Sequence, residues 1–411
     1  MPKVAERNLV VGLDIGTSKI VAVVGEVTPD DELSIIGVGH HAARGMDKGG
    51  VNDLNLVIQS IQRAVNEAEL MADCRIGSVY LGISGKHINC QNENGMVPIN
   101  EHEVTQEDVE NVIHTARSVP MAAERRMLHV LPQEYSVDVQ EGIKSPIGMS
   151  GVRMEAKVHI VTCANDMARN IVKCVERCDL SADQLIFSAL ASSYAVLTED
   201  EKELGVCVVD MGAGTMDISI FTGGALRHSS VIPVGGNQVT SDIAKIFRTP
   251  LSHAEEIKVQ YACALRQMVS MEENIEVPSV GGRPARSMSR HTLAEVVEPR
   301  YHELFELIQE EIKASGLEDQ IAAGIVLTGG TAKMEGVTEF AEEVFQMPVR
   351  VANPFNIQGL TDYVNDPSYA TVIGLLHYGI LESGQSNTES SAGEGVVSAL
   401  SRVKNWFKGQ F

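Results

Sequence analysis

Asp14-Ile15-Gly16-Thr17-Ser18-Lys19, set in the apolar stretch 9–27, has a counterpart near mid-chain. That counterpart is Asp210-Met211-Gly212-Ala213-Gly214-Thr215, set in 206–221. Each copy reads as strand, Asp, Gly-rich turn, strand. Glycine allows backbone N–H groups to come close to a ligand, and successive N–H groups in such a turn form a concave anion site. Thr17, Ser18 and Thr215 add hydroxyl donors. An Asp at the strand end suits Mg²⁺, held directly or through water, because that ion takes carboxylate, water and phosphate oxygens. One such turn is an ordinary hairpin. Two copies facing each other can grip a polyphosphate from both sides, so the chain reads as a nucleotide-binding protein with two similar halves.

A third segment joins them. The apolar strand 324–328 runs into Gly329-Gly330-Thr331-Ala332-Lys333-Met334-Glu335-Gly336 and then a helical stretch. Gly329-Gly330 presents no side chain that would block a flat base or a ribose.

Around these segments the texture is that of a mixed α/β protein. The stretch 34–39 continues the sheet, 52–72 repeats apolar residues at helical spacing, and 78–83 is a further strand. Between 84 and 160 short strand-like pieces surround one helix at 107–117, which reads as an inserted subdomain. The α/β pattern resumes with helices expected at 166–178 and 185–198. In the second half, Gly235-Gly236-Asn237 opens a helix, and 252–267 is helical, with Glu255 and Lys258 three apart on one face. The region 270–289 reads as loop and edge strand. Residues 292–315 are helical, with Pro299 removing a backbone donor and Arg300, Glu303 and Glu306 near the outer face. A closing helix is expected at 367–379.

The last thirty residues have a different character. Residues 382–395 are Ser-, Gly- and Glu-rich and read as a flexible linker. In 396–411 a helix would place Leu400, Val403, Trp406, Phe407 and Phe411 on one arc, with Arg402, Lys404 and Lys408 at its edges. This segment contains the chain's sole Trp and no acidic residue, in a protein with 55 of them. A basic amphipathic helix of this kind lies in a membrane interface. Each basic residue contributes about 1 kcal/mol at an anionic surface, so one copy attaches reversibly and a polymer of copies attaches firmly.

Composition sets bounds. The 411 residues allow two or more domains. A net charge of −22 repels phosphate backbones and speaks against nucleic acid as a partner. The seven Cys form no Cys-x-x-Cys pair. Cys174 and Cys178 share a helix face and read as packing residues, which fits a reducing cytoplasm. The short polar start shows no signal-peptide pattern, and no apolar run is long enough to span a bilayer.

The two hairpins, the Gly-Gly turn and their order resemble the actin, heat-shock-70 and sugar-kinase ATPase superfamily. Longer strings narrow the resemblance to the FtsA family of bacterial cell-division proteins: His129-Val130-Leu131-Pro132-Gln133-Glu134-Tyr135, Gly151-Val152-Arg153-Met154-Glu155-Ala156-Lys157-Val158-His159, Asp183-Gln184-Leu185-Ile186-Phe187-Ser188, and Thr292-Leu293-Ala294-Glu295-Val296-Val297-Glu298-Pro299-Arg300-Tyr301. The resemblance implies an α/β, actin-like two-domain ATPase fold. It would carry an inserted subdomain in the first half and a C-terminal amphipathic helix on a flexible linker. In the family's terms subdomain 1A is 1–83, continued at 161–203 and 361–381, and the insertion 1C is 84–160. Subdomain 2A is 204–240, continued at 321–360, and 2B is 241–320; the linker is 382–395 and the membrane helix 396–411.

The same resemblance implies ATP and Mg²⁺ as cofactors. ATP would lie on Gly16, Thr17, Ser18, Lys19, Gly212, Ala213, Gly214, Thr215, Gly236, Gly329, Gly330 and Lys333, with Glu255 and Lys258 reaching the ribose and adenine. Asp14, Asp210 and Asp217 would position the metal. Where the related bacterial actin MreB carries a water-orienting carboxylate, this chain has Ser188. A serine is a poor general base at neutral pH without help, so ATP binding with slow or negligible turnover is expected, and no catalytic residue stands out. The implied role is an actin-like polymer on the cytoplasmic face of the inner membrane at the division septum. It would tether FtsZ through the FtsZ tail near Arg300 and Glu303, and recruit later division proteins such as FtsN through the insertion. The alternatives fit less well. A small-molecule kinase of the superfamily would carry a catalytic Asp in the cleft and needs no terminal helix. A chaperone needs a substrate domain after the core, and the pilus-assembly relative PilM is not expected to carry the terminal segment.

Overall fold

The computed structural model describes residues 8–29, 32–100, 102–281 and 283–390. Two sheets repeat one plan. In the first half, Leu9–Ile15, Lys19–Val27 and Leu33–Ala42 form an antiparallel meander. Ser78–Ile83 and then Ser181–Phe187 add in parallel on the Leu9–Ile15 side, and the short Gln358–Gly359 closes the far edge. In the second half, Val206–Met211, Met216–Thr222 and Ala225–Ile232 form the meander. Ile325–Thr328 and Val349–Val351 add in parallel on the Val206–Met211 side. The strands beside each hairpin are buried on both faces and read as unbroken apolar runs, as buried parallel sheets do.

Local chemistry sets the helices between these strands. Asp53 caps Leu54–Ala72 by accepting from the Asn55 and Leu56 N–H groups. That helix puts Val57, Ile61, Ala64, Val65 and Ala68 against the first sheet. In the second half, Gly236–Phe247, Leu251–Tyr261, Arg290–Ser315 and Val337–Phe345 cover the sheet, with Tyr301, Phe305 and Phe345 fully or nearly fully buried. A third apolar layer joins the halves, with Val21, Val23, Leu190 and Ile373 meeting Val208, Phe221 and Val326. The short helix Ser188–Val196 lies in that layer and is buried along almost its whole length.

The insertion is a four-stranded antiparallel sheet of Asn89–Pro98, Arg153–Ala164, Arg125–Val137 and Gln140–Ile143. The helix Gln106–Arg117 packs on it and is started by a Thr105/Asp108 capping box. At its base Arg125 ties the ends of these strands together, donating to the carbonyls of His87 (3.0 Å) and Thr162 (3.1 Å). Three of its strands reach the second half. Gln133 donates to the Leu226 carbonyl (2.8 Å) and Asn92 to that of Arg227 (3.0 Å). Buried His159 bridges Asn92 and Ser229 at 2.7 Å each. Burial pushes the His159 imidazole down to about 3, so it is neutral, with Nδ1 donating to Asn92 and Nε2 accepting from Ser229.

Three sequence expectations change. Residues 185–187 finish the strand Ser181–Phe187, and the helix begins at Ser188, because an apolar run buried on both sides carries no period that separates strand from helix. The helix expected over 252–267 stops at Tyr261. There Ala262 turns extended, and Ala264 pairs with Glu335 beside the Gly-Gly turn. The closing helix is Ala370–Ser390, so it runs into the stretch read as a linker from 382. Its buried first half nucleates it, and each further residue adds a hydrogen bond at little cost. The rest of that stretch and the segment 396–411 lie outside the described residues.

Candidate nucleotide cleft

The two hairpins face each other across a cleft of about 440 Å³ between the halves. Their turns are alike. Gly16 donates to the Lys19 carbonyl at 3.0 Å, and Gly212 to the Thr215 carbonyl at 2.9 Å. Each strand pair closes at the matching position, Ile15 against Ile20 and Met211 against Met216. The tips touch, since a methyl group on Gly214 would sit 2.6 Å from the Thr17 Oγ1. Gly214 is therefore required by proximity. Gly329 is required twice over: its φ is +85°, and a side chain would meet the Asp210 carboxylate at 2.4 Å.

The structure brings the expected residues to this one cleft. Gly16, Thr17, Ser18 and Lys19 line one wall. Gly212, Ala213, Gly214 and Thr215 line the other. Gly329, Gly330 and Lys333 close one end. Glu255 and Lys258 also line the cleft, paired at 2.7 Å and both bound to the Thr240 hydroxyl. Gly236 stands behind the lining, its carbonyl 3.4 Å from the Lys258 ammonium. Ser188 also lines the cleft and is buried. The Ser188 Oγ and the Asp14 carboxylate both lie within 3.5 Å of the point a Gly82 side chain would occupy.

Three carboxylates converge here. Burial pushes Asp14 up to about 7, with the Asp210 charge adding to it. Burial pushes Asp217 up to about 8, again helped by Asp210 and opposed by a hydrogen bond from Ser84. Asp210 is raised by burial and held back by hydrogen bonds from Thr371 (2.8 Å) and Ser192. Lys19 is the nearby cation. It donates to the Ser368 hydroxyl at 2.8 Å and sits 4.0 Å over the Tyr369 ring. Among the described residues no group of three or more His, Cys, Asp or Glu is arranged to clasp a metal ion. Crowded carboxylates at this spacing instead suit a cation held through water and ligand oxygens.

Sequence reading missed Ser84, Ser368, Thr371, Tyr301 and Asp366. Asp366 ion-pairs with Lys333 and accepts from Ser368, and Tyr301 donates to the Thr331 carbonyl at 2.8 Å. None belongs to a Gly-rich motif, and only packing brings them to the cleft.

Arg300 and Glu303 lie away from the cleft, on the helix Arg290–Ser315. Arg300 is largely covered and is paired with Asp242 at 2.6 Å as well as with Glu303. The expected membrane residues Leu400, Arg402, Val403, Lys404, Trp406, Phe407, Lys408 and Phe411 lie outside the described residues. Among those described, no helix is long and apolar enough to cross a membrane.

Comparisons with known proteins agree with this geometry. The chain matches the family model "Cell division protein FtsA" over residues 207–374 and "SHS2 domain inserted in FTSA" over 85–162. It is 60% identical to cell division protein FtsA of Escherichia coli K12 over 420 aligned positions, covering 100% of both chains. Among solved structures, a chain of the PilM–PilN type IV pilus biogenesis complex superposes with TM-score 0.66 at 17% identity, covering 90% of this chain and 98% of that one. MreB5 of Spiroplasma citri bound to ADP superposes with TM-score 0.56 at 15% identity, covering 94% and 99%. These structures share the actin-like fold, and the full-length identity goes further: the chain belongs to the FtsA family of cell-division proteins.

Proposed function

We propose that this protein binds Mg·ATP in the cleft and polymerises. In this reading it attaches peripherally, through residues 396–411, to the cytoplasmic face of the inner membrane at the septum. There it anchors the FtsZ ring and recruits later division proteins such as FtsN through the insertion. The observation that carries the nucleotide reading is the matched pair of turns, Gly16 to Lys19 and Gly212 to Thr215, whose tips meet at Thr17 and Gly214. Their N–H groups and hydroxyls would hold the phosphates, and Lys19 would exchange the Ser368 hydroxyl for a phosphate oxygen. Asp14, Asp210 and Asp217 would hold the ion's waters, and Mg²⁺ would neutralise phosphate charge. Glu255 and Lys258 would receive the ribose and base. The ADP in MreB5 supports this assignment. Ser188, buried near Asp14, offers no base for an attacking water, which supports slow or negligible hydrolysis. Arg300 and Glu303 remain the proposed FtsZ-tail contacts, and Arg300 would have to share or release Asp242 to serve.

Co-sedimentation with anionic vesicles tests the whole reading. The full chain, a truncation after Gly395 and Trp406→Glu are compared with and without Mg·ATP. Binding by the full chain alone, strengthened by nucleotide, is expected. Equal binding, or equal absence of binding, in all three removes the terminal segment from the mechanism.

A further inference from the structure

A second cavity, of about 780 Å³, opens at the far end of the first sheet. Leu33 lines it and begins the strand whose other end, Ala42, pairs with Lys19 of the phosphate hairpin. At ~3.3 Å per residue this places the cavity about 30 Å from the cleft. Its apolar wall is made by Leu33, Leu197, Phe355, Ile357, Ile380 and Leu381. Leu33 and Leu197 are buried, and the other four are half-buried and offer free apolar surface. Acids surround this wall. Glu32 and Glu199 line the cavity, and Glu382 stands near Tyr194. Burial first, and then the charges of Glu199 and Glu382, push the Tyr194 hydroxyl up to about 12. The lysine of the cavity, Lys202, is buried, paired with Glu199 at 2.8 Å and 5.3 Å over the Tyr194 ring. Burial keeps His377 neutral, with its ring 3.2 Å from the Phe355 carbonyl. Three carboxylates therefore face one lysine around an apolar floor.

A cation-bearing apolar segment fits that description, and one lies on the same chain. Ile380 and Leu381 belong to the closing helix, the element that leads toward residues 396–411. From Leu381 to Ser390 the helix rises ~1.5 Å per residue, about 14 Å in all. Residues 391–395 span at most ~3.5 Å each, about 17 Å. The chain can thus return to the cavity mouth. The segment brings Trp406 and Phe407 for the floor and Arg402, Lys404 and Lys408 for Glu32, Glu199 and Glu382, with no acid to oppose them.

We infer that this cavity is the lipid-free docking site of the chain's own C-terminal segment, with Trp406 and Phe407 seated against Ile357, Phe355 and Ile380. One apolar face cannot lie in the cavity and in a bilayer together. On the membrane reading proposed above, vesicles and the cavity therefore compete for the segment. The docking itself does not depend on that reading.

Trp406 is the sole tryptophan of the chain, so its fluorescence reports on the segment without a label. The experiment measures acrylamide quenching of the full chain without lipid or nucleotide over a dilution series, against a peptide of residues 396–411. Two variants accompany it. Ile357→Arg fills and charges the floor, and Glu32→Lys reverses an exposed rim charge. Circular dichroism and the thermal midpoint verify that both fold. The expected result is quenching several-fold weaker than in the peptide, independent of concentration, and raised toward the peptide value in both variants. Peptide-like quenching in the unaltered chain overturns the inference. So does protection that fades on dilution, which marks a second copy, or protection that survives both variants. Vesicles containing phosphatidylglycerol are then added to the unaltered chain. An unchanged spectrum there would sink the membrane reading alone and leave the docking standing.

Discussion

Replacing Asp217 with Asn should stabilise the nucleotide-free protein at neutral and mildly alkaline pH. Burial and the Asp210 charge raise the Asp217 carboxyl from 3.8 to about 8. Its folded value therefore lies above its unfolded one. Between those values the native state holds a proton that the unfolded state has lost, so stability falls as pH rises through this window and levels off above about 8. Each tenfold change in proton affinity between the two states is worth about 1.4 kcal/mol. The burden is shared among three carboxylates that titrate together, and Asn still accepts from Ser84, so a gain of about 2 kcal/mol at pH 7.5 is expected. With ~2 cal/mol/K of unfolding entropy per residue, that is roughly 2 °C if the chain unfolds as one unit. The assay is thermal unfolding without nucleotide from pH 6 to 8.5. The unaltered midpoint should fall across the range, and that of Asp217→Asn should fall less. Adding Mg·ATP should reverse the order, because the variant lacks a charge for the ion's waters. A variant that is less stable at pH 7.5, with the same pH slope as the parent, would refute the carboxylate-crowding argument.

Gly214→Val should drive the hairpin tips apart, because its first carbon would stand 2.6 Å from the Thr17 hydroxyl oxygen. At least a tenfold loss in ATP affinity, about 1.4 kcal/mol, is expected by titration calorimetry, and unchanged affinity would count against the grip. His159→Ala should cost about 1–3 kcal/mol in urea unfolding, because Asn92 and Ser229 lose a buried partner. A change under about 0.5 kcal/mol would mean that water replaces the imidazole.

The two matched hairpins were legible because their chemistry is local: a few consecutive glycines and hydroxyls make the turn, and the second copy repeats the spacing. The insertion was legible for the same reason, as a break in a regular α/β texture. What escaped depends on three-dimensional neighbours. Leu185, Ile186 and Phe187 lie in a strand because a parallel partner is beside them. Ser368 and Thr371 reach the cleft only because the closing helix starts there. Arg300 reads as a surface cation in the sequence, and only the helix Gly236–Phe247 brings Asp242 against it. Composition starts the linker too early, because it measures what a segment tolerates, while the preceding packed turns decide whether a helix continues.

The closing helix has a mechanical consequence. Ala370–Ser390 is wedged into the first half at glycines: Gly374 rests on the Ala191 backbone, Gly12 on Val372 and Gly379 on the Tyr80 ring. Backbones this close resist sliding, since a slip of even one residue would drive a side chain into a neighbouring main chain. Tension applied beyond Ser390 thus enters the first sheet as shear along an interlocked helix, and what the glycine contacts do not take up arrives at the helix start, where Thr371 holds Asp210 at 2.8 Å. A protein hauled on from its C-terminal end would carry that load toward the cleft between its halves.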